Sequence, residues 1–134
     1  MQIEDQVCNL ELSRKLKELG VKQESYFWWV ETARMENDKA VYEWLIFDDK
    51  NPPYEKTEIG TSALTVAELV NELPHFVEQE EYYPLKLVKT EDGFYSVCYY
   101  QEGIGYLLGG RSKTFADASA KCLIELIEKG IVKP

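Results

Sequence analysis

A chain of 134 residues has the length of one domain, and such a domain buries roughly two thirds of the surface its unfolded chain exposes, enough for one core. Hydrophobic residues at 45% with 13% aromatics exclude a disordered polymer, and 29% charged residues keep the surface in water. The 15 Lys and Arg stand against 24 Asp and Glu, and the formal charge of -9 repels phosphate backbones and anionic lipid, so nonspecific nucleic-acid and membrane-surface binding are disfavoured.

The opening run MQIEDQVCNLEL has neither a basic region nor a long apolar stretch, and no later segment is long enough for a membrane span, so a cytoplasmic protein is expected. Cys8, Cys98 and Cys122 are far apart and lack the paired spacing of zinc or redox sites; they read as reduced thiols, the last two as core residues. Leu12, Leu16 and Leu19 recur at helical spacing with Gly20 behind them as a cap, which predicts a first helix over Leu10 to Leu19. Tyr26 to Met35 and Ala40 to Phe47, rich in aromatic and β-branched residues, flank Asn37-Asp38 and predict a hairpin with a two-residue turn. That register sets Glu36 opposite Lys39. It gathers Trp29, Ala33, Met35, Ala40, Tyr42, Trp44 and Ile46 on one face, and Trp28, Val30, Arg34, Val41, Leu45 and Phe47 on the other.

Asp48 to Gly60 concentrates charge, prolines and turn formers and reads as a loop. Thr65 with Glu68 forms a capping-box pattern, Val66, Leu69 and Leu73 supply an apolar stripe, and Pro74 stops this second helix. Pro84 to Lys89 and Phe94 to Gln101 flank Asp92-Gly93 and predict a second hairpin, with Leu85, Leu87, Cys98 and Tyr100 sharing a face. Gly103 to Lys113 reads as a glycine-rich connection carrying at most a short strand at Tyr106 to Leu108. Thr114 then caps a closing helix, Phe115 to Lys129, whose stripe of Phe115, Ala118, Cys122, Leu123, Leu126 and Ile127 ends at Gly130. The expected fold is α+β: two hairpins forming one antiparallel sheet against three helices, in the order α-ββ-α-ββ-α, as a single domain over residues 1–134. The helix-hairpin unit recurs over residues 10–47 and 64–101, a likeness of pattern that arises as readily from a common building block as from duplication.

Motifs that suggest chemistry have plainer readings. Gly105 to Ser112, GYLLGGRS, has the glycine and serine spacing of a phosphate-binding loop, but Arg111 stands where the lysine belongs and Tyr106, Leu107 and Leu108 fill its interior; a flexible turn is the plainer reading. LSRKLKELGVKQESYFWW has the spacing of a helix-turn-helix, yet its reading face carries Glu24 and Glu31, and Tyr26 to Val30 favour a strand. His75 is the only histidine, which removes any multi-histidine metal site and leaves no base with a nucleophile motif. Glu78, Glu80 and Glu81 read as a solvated acidic run. No catalytic set, metal site or cofactor motif is therefore assigned.

In LKELGVKQESYFWWV, SALTVAELVNELP and ADASAKCLIELIEKGIV the chain resembles a family of uncharacterised small acidic proteins of bacterial, phage and prophage origin. The resemblance implies an intracellular α+β protein and supplies no catalytic residues. The aromatics are the stronger lead: Trp28, Trp29, Tyr42, Trp44 and Phe47 crowd one hairpin, which can bury only one face against its own helices. They point to a nonenzymatic protein-interaction or self-associating accessory protein, a homodimer through this hairpin, with Trp28 and Trp29 as positions whose charge substitution would split it. The alternatives are an acidic decoy that occupies a nucleic-acid-binding protein, a helix-turn-helix-like DNA binder, and a small enzyme with His75, Glu78, Tyr106 and Arg111 assembled from separate loops.

Overall fold

The computed structural model describes residues 2–48 and 60–134. The chain runs through α1 (Ile3–Gln6), α2 (Leu10–Glu18), β1 (Phe27–Glu36), β2 (Lys39–Asp48), β3 (Gly60–Ser62), α3 (Val66–Glu72), β4 (Phe76–Gln79), β5 (Glu81–Lys89), β6 (Tyr95–Gln101), β7 (Gly105–Ser112) and α4 (Phe115–Glu128). The class is α+β, but the strands form two antiparallel sheets, ordered β2-β1-β3 and β4-β5-β6-β7, where one sheet of two hairpins was expected. The loop expected from Asp48 to Gly60 lies outside the described residues apart from its ends, which belong to β2 and β3.

Three of the four described helices form where the sequence places them; α1, four residues long, is additional to the three expected, and the sequence reading does not assign the Asn9 cap of α2. Asn9 caps α2 by accepting from the Leu12 amide, Thr65 and Glu68 make the reciprocal capping box of α3, and the Thr114 hydroxyl accepts from the Asp117 amide at the start of α4. Two helices end alike. Gly20 and Gly130 turn left-handed at φ of 90° and 73°, and the residues after them donate back, Val21 to the Leu16 carbonyl and Ile131 to that of Leu126.

Two strands escape the sequence reading and a third, β7, is longer than the short strand read at Tyr106 to Leu108, each for a physical reason. β3 is a three-residue strand, too short to show a period. β4 turns into β5 through Glu80 alone, a non-glycine residue at φ 65°, where no turn-former signals the reversal. β7 occupies the supposed flexible turn: a Cβ on Gly109 would lie 2.5 Å from the Cys98 Cβ, and one on Gly110 would lie 2.2 Å from the Ala118 carbonyl oxygen. Gly109 lets β7 lie close against β6 and Gly110 lets it approach α4, which is a different use of the residue from turn formation. The second hairpin also differs in parity. Leu85 pairs with Tyr99 and Lys89 with Tyr95, so residues 90–94 make an odd-length connection. Leu85 and Leu87 therefore share a face with Tyr99 and Val97, and Cys98 with Tyr100 lies on the opposite one.

α4 organises the core. It packs against β6 and β7 and also against α1, α2 and α3, and buries Ala116, Ala118, Ser119, Ala120, Cys122, Leu123, Ile124 and Leu126 around most of its circumference. Leu16 of α2, Leu69 of α3, and Val97, Tyr99 and Leu108 of the larger sheet complete this cluster, which contains no residue of β1 or β2. The first hairpin is thus attached at its base and projects beyond it, with Ala33 to Ala40 exposed without interruption.

Candidate functional site

The projecting hairpin is built as the sequence predicts. Asn37 and Asp38 both adopt left-handed φ, 50° and 61°, the conformation of a two-residue turn whose twist matches that of the strands. The ladder runs from Glu36 opposite Lys39 to Phe27 opposite Asp48, which fixes the two faces read from the sequence. One face turns toward the helices: the Trp29 indole donates to the Cys8 carbonyl at 3.0 Å, and the Arg14 guanidinium of α2 lies 4.6 Å from the Trp44 ring centre.

The five aromatics singled out for interaction divide unequally. Trp28 is 5% exposed and its indole donates to the Ser25 carbonyl, so it belongs to the interior and a charge there would act on folding. Trp29, Trp44 and Phe47 are half-buried, the first two held by the contacts above. Tyr42 alone is largely free, at 66% exposure, and Met35 at 71% and Leu45 at 40% join it. Both tryptophans at the hairpin base are anchors, and the accessible apolar surface lies further out. Sequence reasoning passed over Met35 and Leu45 as docking candidates because aromatic content drew attention to the base of the hairpin.

A second feature follows from hydrogen-bond direction. The Phe27 carbonyl accepts from the Ala63 amide, so the odd residues at the start of β1 point to β3 and the even ones to β2. Trp28 faces Phe47 and Val30 faces Leu45, so Val41, Glu43, Leu45 and Phe47 bond inward, and the amides and carbonyls of Ala40, Tyr42, Trp44 and Ile46 point out of the sheet. β2 is the outer strand of its sheet, and among the described residues no main-chain bond from elsewhere reaches these four. The larger sheet treats its edges differently. β7 is covered by α4, with Glu125 accepting from the Gly109 amide at 3.4 Å and the Lys121 ammonium donating to the Arg111 carbonyl at 3.0 Å. Its other edge, β4, is only four residues long. Such covering and shortening are the devices that keep strand edges from recruiting other chains; β2 is ten residues long, and among the described residues nothing covers it.

The remaining candidates do not converge. Gly105 to Ser112 is β7, a paired strand with no curl of amides for a phosphate. After Gly20 the chain is extended and enters β1, so no recognition helix follows α2. His75 and Glu78 belong to the β4 side of the larger sheet, whereas Tyr106 and Arg111 lie on β7 at its far edge, roughly 14 Å away across three strand spacings. Glu78, Glu80 and Glu81 are exposed. Phe76 and Tyr82 stack with ring centres 4.8 Å apart beside them, a surface pair that only the unforeseen β4 brings together. No group of three or more His, Cys, Asp and Glu among the described residues could hold a metal ion. All three cysteines are free and buried; burial pushes the Cys8 thiol up to about 11 and that of Cys122 to about 12, which keeps both protonated and poorly nucleophilic.

The molecule is thus an α+β protein in which, among the described residues, nothing covers the β2 edge of the aromatic hairpin, and no described helix is long and apolar enough to cross a membrane. No family model, curated protein or solved structure matches the chain.

Proposed function

We propose that this is a cytoplasmic protein-interaction module that acts by binding, and that its docking element is the free edge of β2. The observation that carries the reading is the outward row of main-chain donors and acceptors from Ala40 to Ile46, flanked by exposed Tyr42 and Leu45. An extended segment laid along it gains backbone hydrogen bonds for affinity, while its alternate side chains meet Tyr42, Trp44 and Ile46 on one face and Val41, Leu45 and Phe47 on the other. The acidic surface disfavours phosphate-bearing partners, and the free, buried thiols suit a reducing compartment.

Amide exchange resolved to single residues on the dilute monomer tests whether the edge is open. The amides of Tyr42, Trp44 and Ile46 exchange fast, while those of Val41, Glu43 and Leu45, bonded to β1, are protected. Equal protection of both sets in the dilute chain would show that the edge is covered internally, and the docking reading would fall.

A further inference from the structure

Resting on that docking edge, we infer that its occupant is a second copy of this chain, joined through antiparallel pairing of β2 with β2 about a two-fold axis, so that two three-stranded sheets become one continuous sheet.

The edge is self-complementary in a way that selects one register. Between Ala40 and Phe47 the only charge is Glu43, and the Arg34 guanidinium lies 3.6 Å from it on the neighbouring strand, so two copies meet there without the repulsion that a net charge of -9 imposes on the molecule as a whole. In an antiparallel two-fold pair the outward residues must face one another, which limits the centre of symmetry to a few positions. Centring on Glu43 sets carboxylate against carboxylate. A centre at Val41 runs Trp44 and Ile46 past the partner's turn, and one at Leu45 leaves Ala40 and Val41 unpaired and shortens the ladder. With the centre on Trp44, each Trp44 faces its copy, Tyr42 faces Ile46, and Val41 faces Phe47, so apolar side chains match on both faces. Glu43 then faces Leu45 and stays beside its own Arg34. This register uses all the outward groups from Tyr42 to Ile46, and β2 is ten residues long without proline, glycine or a bulge to obstruct it. The guarded β7 edge shows that the same chain blocks pairing at the edge where its core helix runs.

The experiment measures mass by light scattering and sedimentation over a wide concentration range, with amide exchange at both ends of it. The wild type forms dimers as concentration rises, and the Tyr42, Trp44 and Ile46 amides pass from fast to slow exchange together with the dimer fraction. Tyr42→Pro removes a donor that points away from β1, so the hairpin's own ladder survives while self-association weakens about tenfold or more, the loss of one pair's hydrogen bonds. Should that variant fold poorly, Tyr42→Lys places a solvated charge beside the partner's Ile46 and weakens the dimer in the same way. A chain that stays monomeric at the highest concentration, with the three amides still fast, would overturn the self-pairing and leave the docking edge intact. A dimer indifferent to both substitutions would show that the copies meet elsewhere. Protection of the three amides in the dilute monomer would instead remove the docking edge itself.

Discussion

Leu123 is 2% exposed in the middle of α4, within the cluster shared by the helices and the larger sheet. Truncation there removes burial and leaves a cavity that a helix packed around most of its circumference cannot close, so Leu123→Ala is expected to cost about 2–5 kcal/mol, read as a lower urea midpoint at unchanged slope. About one turn earlier, the same helix holds the opposite case. The Ser119 hydroxyl is fully buried and has no hydrogen-bond partner among the described residues, so Ser119→Ala sheds a desolvated polar group and is expected to raise stability by about 1 kcal/mol in the same melts. Leu123 was legible from its spacing on the apolar stripe. Ser119 was not, because a serine on a helix reads as a solvent-facing residue until the sheet and three other helices are seen to enclose it. The tryptophan pair shows the same limit: alternation sends Trp28 and Trp29 to opposite faces, but only the Ser25 and Cys8 carbonyls show that both indoles are used for anchoring.

At the scale of elements, the first hairpin was readable to the residue because a two-residue turn leaves no freedom in parity. The second was misread in register because its connection from Thr90 to Phe94 is held by side chains that no pattern announces. Asp92 accepts from Thr90 and from the Arg111 guanidinium, and Arg111 lies over the Phe94 ring at 4.2 Å. Turn chemistry also makes a prediction for the first hairpin. Asp38 holds a φ of 61° that glycine adopts without a Cβ penalty, so Asp38→Gly is expected to stabilise the hairpin by about 0.5–1 kcal/mol. The gain appears as slower exchange of the inward Val41 and Glu43 amides, with the outward Tyr42 amide unchanged in the dilute chain. If the inward amides exchanged faster, the left-handed turn would not be the conformation that the hairpin uses.

For the whole molecule, the buried thiols and phenol tie stability to pH. Burial raises Cys8 to about 11 and Cys122 to about 12, and it raises the Tyr99 phenol as well, whose hydroxyl donates to the Pro74 carbonyl at 2.7 Å. The unfolded chain releases its thiol protons near the ordinary value of 9.0 while the folded chain retains them. The stabilisation is therefore fully present below that value and is lost as pH rises through the folded values. Urea midpoints are expected to fall between about pH 9 and about pH 12, less steeply in Cys122→Ala than in wild type; a flat profile would place these thiols in water. The sequence by itself determined the class, the three longer helices with most of their caps, and the first hairpin and its register, because these depend on neighbours within a few turns or one tight loop. Tertiary structure alone decided that the strands divide into two sheets, that Gly110 lets β7 pack against α4, and that the β2 edge is uncovered among the described residues. Those outcomes depend on which surfaces remain after distant segments have paired, and no local spacing of residues encodes that remainder.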